Sequence, residues 1–215
     1  MSDVDPSWQA LFIDLLKKHS ITDSAHDPGH IHRVVTSARR LTVAEGADWF
    51  VVMPAAWLHD CVIIPKSSPD RKMASVLAAR QAVSWLTEND WPHGRLDEIG
   101  HAIEAHSFSA GIEPRSLEAK VVQDADRLDA LGAVGLARTL MLGGELKREF
   151  YAAIDPFCVS RPPDDSVYTL DHLYAKLLTL EDTMQTEAGK GEARQRTVFL
   201  RDFLKQLRDE IGPAD

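Results

Sequence analysis

The chain is poor in cysteine. Of 215 residues only Cys61 and Cys158 are cysteines, and they form no CxxC spacing. A disulfide framework and a thiolate zinc site are both left without support. Basic charge is also short: 24 Lys+Arg stand against 33 Asp+Glu, a formal net charge of -9. An acidic surface repels nucleic-acid phosphates and anionic lipids, so general binding to either is disfavoured. A small anionic substrate is still allowed, because a bound metal can supply positive charge locally. Long apolar runs are missing. None approaches the roughly 18 to 20 residues needed to span a bilayer. The N-terminus, MSDVDPSW, is acidic and lacks a basic n-region followed by an apolar h-region. The expectation from these absences is a cytoplasmic protein without membrane attachment. Alternating strand patterns, internal repeats and low-complexity tracts are absent as well.

What is present is helical periodicity, in a chain that is 44% hydrophobic and 27% charged. Asp5-Pro6 reads as a helix start, with Asp as N-cap and Pro in the first turn. Trp8, Leu11, Phe12, Leu15 and Leu16 then form one apolar stripe. Asp27-Pro28 repeats the signal before a helix carrying Ile31, Val34, Val35, Ala38 and Leu41, which ends near Gly46. A third helix runs from about Asp48 to His59-Asp60. After a loop from Pro65 to Pro69, a fourth carries Met73, Val76, Leu77, Val83 and Leu86. A break from Asn89 to Gly94 precedes a fifth helix, about Leu96 to Ser107. A sixth starts near Pro114 and runs through Val121, Val122, Ala125, Leu128 and Leu131. Its later part, LGAVGLARTLMLGG, is rich in small residues that permit close helix packing. Prolines 156, 162 and 163 make the segment from Asp155 to Tyr168 irregular. Two last helices are expected at about Leu170 to Met184 and Glu192 to Ile211. The fold expected is all-α, one domain with a core at about 20–150 and a helical extension over 155–215 packed on it.

Four features carry chemistry: His26, Asp27 and His30 at the start of the second helix; His59-Asp60 near the end of the third; His101 and His106 in the fifth; and Asp124, Asp126 and Asp129 in the sixth. Histidine and carboxylate together suit a borderline divalent cation. His59-Asp60 follows an apolar run, MPAAWLHD, and a carboxylate there is costly unless paired or metal-bound. An HD dipeptide alone is a common chance match. Leu96, Ile99, Ala102, Ile103 and His106 share one helical face, so His106 points inward, while His101 shares the other side with Asp97, Glu98 and Glu104. Trp49, Trp57 and Phe108 are candidates for stacking a base, though aromatics at helical spacing more often fill a core.

The order H…HD…D, one member per helix, resembles the HD-domain phosphohydrolase superfamily. HDPGHIHRVV looks like that family's first-histidine helix, AAWLHD like its HD helix, and AIEAHSFSAG and VVQDADRLDALGAVGLAR like its later helices. With RPPDD and YTLDHLYAKLLTLEDTMQTEAGK, the similarity runs from about His26 to Lys190 and points to the YedJ-like branch. The resemblance implies an HD-domain helical bundle holding a divalent metal (Mn, Mg, Co, Ni, Fe or Zn) on His30, His59, Asp60 and Asp126. Asp124 stays open as an alternative to Asp126, and is otherwise placed to orient a ligand.

On this reading Asp60, His106 and Asp124 are the catalytic candidates. His106 also joins Arg33, Lys66, Arg71 and Arg127 as candidates for binding phosphate. Arginine offers a bidentate fork to phosphate oxygens and lysine a point charge. The function implied is metal-dependent hydrolysis of a nucleotide or similar phosphate ester, first of all release of pyrophosphate from nucleoside triphosphates. The alternatives are a 5'-nucleotidase-type phosphomonoesterase, a di-iron oxygenase of the same superfamily, and a nucleotide-binding module without turnover. A homodimer is left open.

Overall fold

The computed structural model describes residues 6–19, 28–64 and 68–212. Asp5, His26, Asp27 and Lys66 therefore lie outside the described residues. Among the described residues the protein is all-α. Its helices are α1 (Pro6–His19), α2 (Pro28–Glu45), α3 (Trp49–Leu58), α4 (Ala74–Glu88), α5 (Leu96–His106), α6 (Leu117–Asp129), α7 (Gly132–Glu145), α8 (Asp171–Ala175) and α9 (Glu187–Ile211). Two 3-10 turns, Pro69–Met73 and Leu177–Thr183, and one isolated bridge between Glu149 and Tyr168 complete the regular structure. No helix among the described residues is long and apolar enough to cross a membrane. The chain divides into two compact units, Met1–Asp126 and Arg127–Asp215, with the boundary inside α6.

The first unit is organised around α3. Nine of its ten residues are buried, and a helix that is apolar all round belongs at the centre of a core. α2 and α5 pack against it, and α4 packs on α5. α2 offers Val34, Ala38 and Leu41, a single stripe at helical spacing, and closes on Gly46, whose φ of +73° suits glycine. α1 leans on α3 and contributes Phe12 and Trp8; Trp8 meets Trp91 edge to face, with ring centroids 4.7 Å apart.

Polar links hold α6 in place. The Asp48 carboxylate caps α3 by accepting from the Phe50 amide at 2.9 Å, while the Asp48 amide donates to Glu118 of α6 at 3.1 Å. The Ser116 hydroxyl caps α6 by accepting from the Ala119 amide. Just before α6, the Arg115 amide donates to His101 Nε2 at 3.0 Å.

From the end of α6 onward the structure departs from the periodicity reading in three places. The sixth helix does not continue into the small-residue stretch: α6 ends at Asp129, and Gly132, at φ +70°, starts α7 afresh. α7 uses its small residues for close approach, since a Cβ on Gly143 would lie 2.2 Å from the Thr169 hydroxyl. The region from Leu170 to Met184 is a five-residue α8 followed by a 3-10 turn. α9 begins earlier than expected because Thr186 caps it, accepting from the Gly189 amide at 3.0 Å. The proline-rich segment is irregular but well braced. Asp155 accepts from the amides of Val159, Ser160 and Arg161, and the Arg161 guanidinium grips the fully buried Asp171.

Two outcomes follow. Arg161→Ala leaves the Asp171 carboxylate buried without its cation and costs about 3 kcal/mol or more of stability, measured by chemical denaturation; a loss below about 1 kcal/mol contradicts the brace. His101 Nε2 accepts from a backbone amide, so it must be unprotonated; burial, then the nearby Arg115, lowers its pKa from 6.5 against the pull of Glu104. The unfolded chain thus binds more protons just below pH 6.5, so this contribution is full above that pH and falls away as the pH drops through the window. His101→Gln, which keeps the acceptor but does not titrate, should flatten the slope of stability between about pH 7 and 5; an unchanged slope contradicts the assignment.

Candidate metal centre

Four helices of the first unit converge on one cluster. α2 presents His30 on its first turn. The end of α3 presents His59 and then Asp60, α5 presents its last residue His106, and α6 presents Asp126. His30 Nε2 lies 3.3 Å from His59 Nε2 and 3.4 Å from Asp126 Oδ1. His59 Nε2 lies 3.6 Å from Asp60 Oδ2 and 3.8 Å from Asp126 Oδ1, and His30 Nε2 is 3.9 Å from Asp60 Oδ2. His106 Nε2 approaches the other oxygen of the same carboxylate, Asp60 Oδ1, at 3.5 Å. The imidazoles are deep, His59 wholly buried and His106 nearly so, while the Asp60 and Asp126 side chains are 33% and 27% exposed. The cluster thus has a dry floor and a carboxylate rim.

Two hydrogen bonds fix what the imidazoles offer. His59 Nδ1 lies 2.9 Å from the Ala56 carbonyl, and His106 Nδ1 lies 2.6 Å from the Ile103 carbonyl. A carbonyl only accepts, so Nδ1 carries the proton in both rings, and in the neutral form Nε2 turns a lone pair towards the cluster. Backbone carbonyls that fix the tautomer in this way are a usual support for metal-binding histidine. Both acceptors lie one turn back on the histidine's own helix, so orientation comes from local geometry. The Cys61 thiol donates to the Ala78 carbonyl of α4 at 3.4 Å and pins the residue after Asp60; burial first, then Asp60, pushes its pKa up to about 12.

The electrostatics are those of a compact mixed cluster. Burial lowers the pKa of His59, against the pull of Asp60 and Asp126. Burial alone would raise those of Asp60 and Asp126, but the surrounding imidazoles hold both below the usual carboxylate range. For His106, burial is outweighed by the hydrogen bond and charge of Asp60, and its pKa rises. Both carboxylates are thus held ionised among nitrogen donors.

The donor set fits a divalent cation. A metal about 2.0–2.2 Å from each donor places neighbouring donors about 3.0–3.5 Å apart, and the spacings here are 3.3 to 3.9 Å. The donor atoms of His30, His59 and Asp60 all lie within 4.8 Å of one another, so this trio could hold a metal ion.

The remaining sequence candidates are distributed differently. Asp126 is the α6 aspartate found beside His30 and His59; Asp124 is fully buried on the same helix. Arg33 is half-buried one turn beyond His30 on α2. The Arg71 guanidinium donates to the Ile64 carbonyl at 2.7 Å and braces the stretch after Asp60. Arg127 donates to the Thr183 carbonyl at 2.5 Å, an engagement within the second unit. Trp49 and Trp57 are buried. They border an open groove of about 790 Å³ against α1, α2 and α3, which none of the five cluster residues lines. Spacing does not mark Gln123, although a glutamine in the apolar run Val121-Val122 could have drawn notice.

Comparison with known proteins bears on this cluster. The family model described as HD domain matches residues 29–131, which include all five cluster residues. The chain is 35% identical over 199 residues to the uncharacterized protein YpgQ of Bacillus subtilis, covering 89% of this chain and 87% of that one. Among solved structures, Bacillus subtilis YpgQ in complex with ADP superimposes with a TM-score of 0.69 at 31% identity, covering 98% of this chain and 96% of that one. A Bacillus thuringiensis HD-superfamily hydrolase gives a TM-score of 0.68 at 34% identity, covering 94% and 97%.

The tautomers are directly measurable. Nitrogen-15 NMR of the metal-free protein should show Nδ1 protonated in both His59 and His106. An unprotonated Nδ1 in either ring contradicts the geometry.

Proposed function

This chain belongs to the HD-domain superfamily, and from that premise we propose that it is a divalent-metal-dependent phosphohydrolase of nucleotides, releasing pyrophosphate from nucleoside triphosphates. The observation that carries this reading is the convergence of His30, His59, Asp60 and Asp126, with Nε2 of His59 aimed inward by its Nδ1 hydrogen bond. The nucleotide class is supported by the complex of YpgQ with ADP. At branch level the relatives are YpgQ-like; placement in the YedJ-like branch is a proposal carried by the AIEAHSFSAG, VVQDADRLDALGAVGLAR, RPPDD and YTLDHLYAKLLTLEDTMQTEAGK strings.

His30, His59, Asp60 and Asp126 would hold the metal. A metal so bound supplies an acidified water and a Lewis acid for a phosphoryl oxygen. Asp60 has two oxygens with different neighbours: Oδ2 faces His30 and His59, and Oδ1 faces His106. That carboxylate is thereby suited to accept a proton from the attacking water. His106, its Nδ1–H committed to Ile103, has only Nε2 with which to reach a phosphate oxygen or pass on a proton. Arg33, three residues after His30 on α2, and Arg71, in the 3-10 turn that follows the His59-Asp60 stretch, serve the phosphates in this reading. Asp124, buried on the ligand helix, is retained as a group that orients others.

The test is a product-resolved hydrolysis screen. Protein stripped of metal and resupplied with Mn, Mg, Co or Ni is offered nucleoside tri- and monophosphates, beside a His59→Ala control. Pyrophosphate from triphosphates, lost by roughly 1,000-fold or more in the control, is the expected result. Orthophosphate from monophosphates would replace the pyrophosphatase reading with the nucleotidase one. No product with any metal would overturn both.

A further inference from the structure

We propose that Gln123 is a positioning residue that couples His106 to Asp126, by tying the end of α5 to the ligand-bearing stretch of α6. This inference rests on the hydrolase reading above.

A helix leaves its last four carbonyls without partners inside the helix. In α5 these belong to Ile103, Glu104, Ala105 and His106. Two are taken up by side chains: Ile103 by His106 itself, and Ala105 by Gln123 of α6, whose Nε2 donates at 2.6 Å. The second bond crosses between helices at the residue preceding His106. It starts three residues, less than one helical turn, before Asp126. One bond thus fixes the helix end that aims His106 relative to the helix that delivers Asp126.

The amide is 2% exposed, and its orientation is forced, because Oε1 in the same place would oppose a carbonyl. Its own Oε1 is buried without a hydrogen-bond partner. An apolar side chain of equal length would avoid that penalty. The amide therefore costs stability on its acceptor side and contributes through its donor, to a carbonyl beside His106. A second link, from Glu118 to the Asp48 amide, lies at the far end of the helix and sets its start. Gln123 acts next to the point where Asp126 leaves the helix.

The test compares the full-length protein with Gln123→Met, which keeps length and burial but removes the donor, and with Gln123→Glu. Three readouts are taken: Mn²⁺ affinity by calorimetry, kcat and KM separately on the nucleotide that wild type hydrolyses, and the His106 Nδ1–H resonance in metal-free protein. Gln123→Met should bind Mn²⁺ about 10-fold more weakly and lose about 10- to 100-fold in kcat, with KM within about threefold. Its His106 resonance should shift or broaden. In Gln123→Glu a protonated carboxyl can donate to Ala105 and an ionised one cannot. Its activity relative to wild type should therefore rise as the pH falls from about 8 to 5.5. Wild-type values in Gln123→Met overturn the proposal. Should that variant not fold, a ratio for Gln123→Glu that does not change with pH overturns it. Wild type that binds no metal and hydrolyses nothing defeats the hydrolase reading instead, and an unshifted His106 resonance in Gln123→Met then overturns the coupling separately.

Discussion

Much of the first unit depends on one kind of hydrogen bond: an imidazole Nδ1–H donated to a carbonyl one turn back on the same helix. His59 makes it to Ala56 and His106 to Ile103. Each bond removes the ring's freedom and turns Nε2, an acceptor in the neutral ring, towards its neighbours. Placing several such nitrogens beside two carboxylates in a largely buried cluster is unfavourable unless a cation or shared protons join them. The helical frame accepts that cost where α3 ends, after a helix that is apolar and buried in nine of its ten residues.

This arrangement separates two tasks. Orientation of the nitrogens is local, set within α3 and α5. Their placement relative to each other is tertiary, set by α3 packing on α2 and α5, by links to α6 from Asp48 and Ala105, and by the bond from the Arg115 amide, just before α6, to His101. The second unit uses different means. A charged pair, Arg161 and Asp171, braces the proline-rich segment, and Gly143 lets α7 approach Thr169. These features explain the residue types there without a role at the cluster.

What was legible in the sequence follows the same division. Helical period placed α2 and α5, because each has one buried face, and the face of Ile99, Ala102 and Ile103 also placed His106 inward. For α4 the period named the wrong face: Met73 and Leu77 are exposed, and the buried side is Ser75, Ala78, Ala79, Ala82, Trp85 and Leu86, mostly small residues that let α5 pack closely. The H…HD…D order, through the family resemblance it carries, pointed to His30, His59, Asp60 and Asp126, and the structure brings these four side chains together. The break between α6 and α7 was missed because the apolar pattern runs on through Gly132, and only backbone conformation marks the new start. The early beginning of α9 was missed because its cap, Thr186, precedes its apolar stripe. Gln123 and Glu118 left no periodic signal, since each bonds to backbone distant in the chain.

The most direct measurement is anomalous diffraction from crystals soaked in Mn²⁺. The account predicts one strong peak within about 2.3 Å of Nε2 of both His30 and His59, with oxygens of Asp60 and Asp126 completing the protein ligands. A peak elsewhere, or none at the cluster with Mn²⁺ bound at another site, would contradict it.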